Sequence, residues 1–216
     1  IVNRLGNDGD ISIFQKDGTT VGSIGSYVDL PYIGKSDVNL MFDPAGPHII
    51  PRGTNGGARD AAINLGSASN RFKDLYLSGG VYLGGTGAAN KLDDYEEGTC
   101  TLTLASTGTA PTIIGGNDFA GAYTRIGNVC TVRGYTSNKY ISNSGTGNAK
   151  IIGLPFLASG YSQPIFAHNS MFPTSGSGYT ENSTDYFYPI EDGGTSNVTY
   201  ATGTTYFMFT MTYLVQ

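Results

Sequence analysis

The 216-residue chain has no tryptophan, two histidines, two cysteines and little charge, with Asp, Glu, Lys and Arg making up 13% of it, about half their share in an average soluble domain. Each shortage closes off a class of function. Twelve Lys and Arg against 17 Asp and Glu leave a net charge of -5, so no basic field draws in phosphate, and nucleic acid and anionic membranes are poor partners. Cys100 and Cys130 are too few to frame a disulfide scaffold and read as buried free thiols on neighbouring strands. Apolar runs such as IIGLPFLA at 151–158 fall far short of the roughly 20 residues of a membrane-spanning helix. The chain starts at Ile1 without the basic and apolar blocks of a signal peptide, and reads as a fragment or processed piece of something longer.

Glycine is abundant instead, at 32 residues, about twice the usual share. Short runs rich in β-branched and aromatic residues alternate with Gly, Asn, Asp and Ser clusters: ISIF at 11–14, DVNLMF at 37–42, DLYL at 74–77, VYLG at 81–84, CTLTLA at 100–105, VCTVRGY at 129–135, KIIGLPF at 150–156 and TTYFMFTMTYLV at 204–215. No window carries a helical apolar stripe. The expectation is an all-β chain.

Its two halves differ. Residues 1–92 hold eight of the 12 basic residues and short strands separated by glycine steps. Such strands leave one face wet and cannot each bury enough apolar surface alone. Winding three identical chains together supplies the missing layers, so this half reads as an intertwined trimeric β shaft. In INLGSASNRFKDLYLSGGVYLGGTG at 63–87, Leu65, Phe72, Leu75, Leu77, Tyr82 and Leu83 are expected to face other chains, and Asn70, Arg71, Lys73 and Asp74 to form turn and rim. An acidic junction, residues 93–98, follows. Residues 99–216 read as a head with longer, better alternating strands. In TYFMFTMTYL, Phe207, Phe209, Met211 and Tyr213 share the expected core face, which implies a β-sandwich or barrel holding the last strand inside the sheet. Of the two, an antiparallel β-sandwich is the expectation.

The series INLGSASNRFKDLYLSGGVYLGGTGAANKLDDYEEGTCTLTL resembles the segment joining shaft to head in tail fibres of tailed bacteriophages, especially marine and cyanobacterial ones. The likeness is dense from Ile63 to Thr101 and continues in GAYTRIGNVCTVRGY and KIIGLPF. The family pattern carries Trp and Pro where this chain has Cys100 and Leu102, so local head packing must differ. The resemblance implies a homotrimeric, non-enzymatic fibre tip on the virion, made in the bacterial cytoplasm, joined to other tail proteins and binding a host surface glycan or outer-membrane protein.

Chemistry-bearing residues are sparse. Asp93, Asp94, Glu96 and Glu97 have neither the separation of paired glycosidase acids nor the alternation of a calcium loop, and read as a solvated junction. His48 sits among Pro44, Pro47 and Pro51 in a stiff crossing. Neither histidine has a metal-ligating neighbour in sequence, so no metal, cofactor or catalytic group is expected. GSIGS at 22–26 and GGTG at 84–87 open no helix that would cradle phosphate. The sequons at Asn182 and Asn197 are chance matches in a Ser/Thr-rich chain.

The region Leu157 to Asn197 carries the functional expectation, because its rings are interleaved with hydroxyls, amides and carboxylates. Sugars stack their C–H faces on rings while polar groups take their hydroxyls. Tyr161, His168, Phe172, Tyr179, Asp185, Tyr186, Tyr188 and Glu191 are the receptor-binding candidates, with Phe187 assigned to the core by alternation. Two other readings stay open: a tailspike that depolymerises polysaccharide through paired acids such as Asp185 and Glu191, and a purely structural fibre segment.

Overall fold

The computed structural model describes residues 3–216, and apart from two three-residue 3-10 turns its regular structure is all strand. The chain divides into two compact units, one up to Tyr76 and one from Leu77.

The first unit is a five-stranded antiparallel meander of β1 (Gly9–Lys16), β2 (Thr19–Tyr27), β3 (Leu30–Lys35), β4 (Val38–Asp43) and β5 (His48–Arg52), paired in chain order. Asp17 and Gly18, at φ 50° and 76°, turn β1 into β2, the positive-φ pair that a two-residue hairpin requires. One face of the sheet is filled. Tyr32 and Met41 are 2% and 0% exposed, and the buried Asn39 donates from Nδ2 to the carbonyls of Gly53 and Ser36 at 2.7 and 3.0 Å, tying the 3-10 turn Thr54–Gly56 to β4. The Tyr32 hydroxyl donates to Asp10 at 3.0 Å. The other face is apolar and open. Ile24, Ile33, Leu40 and Pro51 form one cross-strand row, and Ile24, Ile33, Leu40, Phe42 and Ile49 all remain exposed.

Between this sheet and the head, the expected strand at 74–77 does not form; the only strands there are β6 (Val81–Tyr82) and β7 (Lys91–Leu92), paired with each other. The SASN turn is closed by the Ser67 amide donating to the Asn70 carbonyl at 2.9 Å and the Asn70 amide donating to Ser67 Oγ at 3.0 Å. Leu65, Phe72, Leu75, Leu77, Tyr82 and Leu83 are all exposed. Glycines and serines this dense close turns locally rather than extend into a strand.

The head strands are β8 (Tyr95–Ser106), β9 (Thr112–Ile114), β10 (Asp118–Ile126), β11 (Val129–Asn143), β12 (Ala149–Ile152), β13 (Pro164–Ala167), β14 (Ser177–Thr180), β15 (Tyr186–Ile190) and β16 (Gly203–Leu214). They pair in the order β10-β8-β12-β15-β14-β13-β16-β11, and β10 also pairs with β11, which closes eight antiparallel strands into a barrel; β9 adds to the far end of β11. The expected sandwich is therefore replaced by a closed barrel. The reason lies in β10, which meets β8 over Asp118–Ile126 and β11 over Gly121–Ile126, so the ring leaves no open edge between two sheets.

Alternation sets the core as expected on β16: Phe207, Phe209, Met211 and Tyr213 are at most 2% exposed. They meet Leu102, Leu104, Val132, Ile151 and Phe187 in one interior cluster, with Phe187 and Phe209 centroids 4.8 Å apart. Gly121 and Gly134 face each other across β10 and β11. A Cβ at Gly134 would lie 2.7 Å from Phe209, 2.8 Å from Leu102 and 2.9 Å from Phe119, so the missing side chain is the space these three occupy. Cys100 and Cys130 are free thiols, pushed above their ordinary pKa by burial. They are not on neighbouring strands, because β10 runs between β8 and β11.

Burial, followed by the Asp10 hydrogen bond, pushes the Tyr32 hydroxyl up to about 12. A tyrosine that holds its proton more tightly when folded contributes stability that is present below pH ~10 and is lost between pH ~10 and ~12. The expected outcome is a fall in the melting temperature of the N-terminal unit across that window, followed by circular dichroism, with a shallower fall in Tyr32→Phe. An equal slope in the two proteins would show that Tyr32 is not the group responsible.

Candidate functional site

The outer wall of β12, β14 and β15 is where the sequence candidates gather. On β15 the pattern is strict: Phe187 and Pro189 point into the barrel, and Tyr186 and Tyr188 stand half-buried on its outside. Tyr188 pairs across the ladder with Tyr179 of β14, and Tyr186 with Ile152 of β12. Tyr161 comes from the loop ahead of β13. That loop is fastened to β14 by three bonds: the Thr180 amide donates to the Ser162 carbonyl at 2.9 Å, the Ser162 amide to Thr180 Oγ1 at 2.9 Å, and the Thr180 hydroxyl to the Gly160 carbonyl at 3.1 Å.

The result is a ladder of four tyrosines. Ring centroids step 6.4 Å from Tyr161 to Tyr179, 5.4 Å to Tyr188 and 5.2 Å to Tyr186, all within the range of favourable aromatic contact. Tyr161 is 78% exposed and forms the open end. At the other end Lys150 Nζ lies 4.8 Å above the Tyr186 ring, and the Tyr186 hydroxyl donates to Glu181 at 3.0 Å. Burial, then the Tyr188 and Glu181 side chains, hold the Tyr186 hydroxyl above its ordinary pKa, so it stays a neutral donor across the physiological range. Rings, hydroxyls, one ammonium and one carboxylate are presented together on a rigid sheet, which is the set of groups that holds a pyranose by its C–H face and its hydroxyls.

The remaining candidates lie elsewhere. His168, at φ 45°, contacts the rings of Tyr135 and Tyr206, with centroids 5.8 and 4.9 Å away; Tyr206 in turn donates to Asn138 Oδ1 at 2.7 Å. Phe172 is not a surface residue at all. It is 0% exposed and packs against Phe207 and Tyr200 with centroids 5.1 Å from each. The cause is Asn169, whose side chain accepts from the Phe172 amide at 2.9 Å and donates to the carbonyls of Phe172 and Ser175 at 2.8 and 2.6 Å, closing a turn that folds the ring inward. Asp185 and Glu191 flank β15 at opposite ends, about 20 Å apart along an extended strand. Two acids acting on one glycosidic bond need roughly 5 to 10 Å, so these two do not form such a pair.

The acidic junction is engaged residue by residue. Asp93 pairs with Lys91 at 2.9 Å and Asp94 with Arg125 at 3.3 Å, while Glu96 accepts from the Tyr123 hydroxyl and Glu97 from that of Tyr95. These two bonds raise the pKa of both tyrosines. Tyr95 to Gly98 already belong to β8, paired with β10. Lys150, Tyr135 and Tyr206 escape the sequence reading; alternation alone puts Lys150 outside β12, but its meeting with Tyr186 depends on a pairing between residues far apart in the chain.

Phe172→Ala is expected to lower stability by about 3–5 kcal/mol, as for other buried phenylalanines, read by chemical denaturation; a loss below about 1 kcal/mol would place the ring outside the core. No family model, curated protein or solved structure matches the chain.

Proposed function

We propose that this chain is the distal part of a bacteriophage tail fibre, carried on the virion as a homotrimer, whose barrel head binds a saccharide of the host cell surface. The tyrosine ladder Tyr161–Tyr179–Tyr188–Tyr186, flanked by Lys150 and Glu181, is the observation that carries the reading. Rings held in tilted and edge-on contact with one another give contact area at low entropic cost, and the low charge of the chain fits a neutral or weakly charged ligand better than a nucleic acid.

Trimerisation is supported by unburied apolar surface. Within the N-terminal unit the open face of the sheet leaves Ile24, Ile33, Leu40, Phe42 and Ile49 exposed, and Leu65, Phe72 and Leu75 are exposed after it. Three copies on one axis cover such surface by symmetry. Weak individual sugar sites then suffice, since linked sites gain about 10²- to 10⁴-fold in avidity.

The test is decoration of a panel of bacterial cells by labelled protein, with and without periodate oxidation of surface sugars. Wild type is expected to decorate a subset of strains in a periodate-sensitive way. Tyr179→Ala/Tyr188→Ala is expected to bind about tenfold or more weakly per site, the equivalent of about 1.4 kcal/mol. Unchanged binding by the double variant would remove the ladder from the function.

A further inference from the structure

On the wall of the barrel away from the ladder, one cation stands alone. Five strands contribute a single row of outward residues, Thr99, Ala122, Arg133, Thr210 and Ile165, in direct cross-strand register. Arg133 is exposed and central, with a methyl group on one side and a hydroxyl on the other. Directly opposed strand residues are the ones that pair, so a carboxylate for Arg133 should have stood at 122 or 210. Neither position carries one. Among the described residues Arg133 makes no ion pair: the four that exist use Arg59, Lys73, Lys91 and Arg125.

The ground on either side of Arg133 is hollow, because its neighbours are small. Toward Tyr135, a shallow depression of about 350 Å³ is floored by Ala120 and Ala122 and edged by Met208. On the opposite side a second depression, of about 380 Å³, is lined by Thr124, Thr131 and Glu97; Thr131 shares a 2.9 Å hydrogen bond with Thr212. The guanidinium is the ridge between an apolar hollow and a hydroxyl-lined one.

We propose that this wall is a second saccharide subsite, separate from the tyrosine ladder, that takes a pyranose bearing a carboxylate. Arg133 receives the carboxylate through the two parallel N–H groups of its fork. The C–H face of the ring lies on Ala120, Ala122 and Tyr135, and threonine hydroxyls take the ring hydroxyls. Glu97, whose Oε1 already accepts from Tyr95, sets the limit of the anionic ligand on its side by repulsion. A neutral sugar offers Arg133 only single, uncharged hydroxyl acceptors where a carboxylate takes both parallel N–H groups with charge assistance, and a bare phosphate gains nothing from the apolar hollow, so the two together favour an acidic sugar.

Titration calorimetry of the whole chain with an oligogalacturonate, with the same oligomer after carboxyl reduction, and with inorganic phosphate tests the assignment. Wild type is expected to bind the acidic oligomer, and the reduced oligomer and phosphate at least about tenfold more weakly. Arg133→Gln is expected to lose at least about tenfold for the acidic oligomer and Arg133→Lys less, with the residual binding of the carboxyl-reduced oligomer the same in both variants as in wild type, so that failure of this subsite is distinguishable from failure of the ladder. The proposal is overturned if wild type does not bind the acidic oligomer, if Arg133→Gln binds as wild type, if the reduced oligomer binds equally well, or if phosphate matches the oligomer. Shielding of Arg133 by another copy of the chain, seen as loss of its reaction with a guanidinium reagent in the assembled protein, overturns it too.

Discussion

The longer strands here have an apolar side, and the structure depends on how that side is removed from water. In the head the answer lies within one chain: β10 reaches both β8 and β11, the sheet closes, and the rings of Phe187, Phe207 and Phe209 meet inside it. The N-terminal sheet has five strands and no closure. One of its faces is filled by Tyr32, Met41 and the turn that Asn39 anchors; the other presents Ile24, Ile33, Leu40, Phe42 and Ile49 to solvent. A contiguous apolar surface of this kind is uncommon on a monomer and marks an interaction. The same physical demand is met by topology in one unit and, on this account, by identical copies in the other.

Closure also fixes what the outside of the head can offer. With the barrel closed and its interior closely packed, the side chains it offers to a partner stand on its wall and on loops fastened to that wall, as at Tyr161. Those side chains are tyrosines, threonines and alanines with few charges among them, arranged by a ladder register that holds each neighbour about 5 to 6 Å from the next. A surface of this sort binds by shape, stacking and hydroxyl contacts. Individual contacts of this kind are modest, and in the proposed trimer their repetition around the axis is what would raise the affinity.

What the sequence made legible followed local rules. Alternation alone placed Phe207, Phe209, Met211 and Tyr213 inside and separated Phe187 from Tyr186 and Tyr188, because a period of two is a property of the strand itself. Phe172 defeated the same reasoning. It lies in a loop whose composition resembles a surface, and only the Asn169 turn, which is a matter of three specific hydrogen bonds, folds it into the core. The four-tyrosine ladder was visible as residue types but not as a site, since Tyr161 and Tyr186 are joined through two short strands whose pairing no local pattern announces. Barrel rather than sandwich was likewise illegible: the strands are the same in both, and the difference is a single non-local pairing of β10 with β11. In the stretch 63–80 the apolar residues expected to face other chains are exposed, and the strand expected at 74–77 is absent; locally closed turns such as Ser67–Asn70 stand in the stretch instead.

The central claim is that the open face of the N-terminal sheet and the exposed residues following it are covered by two further copies of the chain. Light scattering on the purified protein in native buffer measures this directly. The account predicts a mass three times that of the 22.7 kDa chain, held on dilution to low micromolar concentration, whereas the mass of a single chain would contradict it.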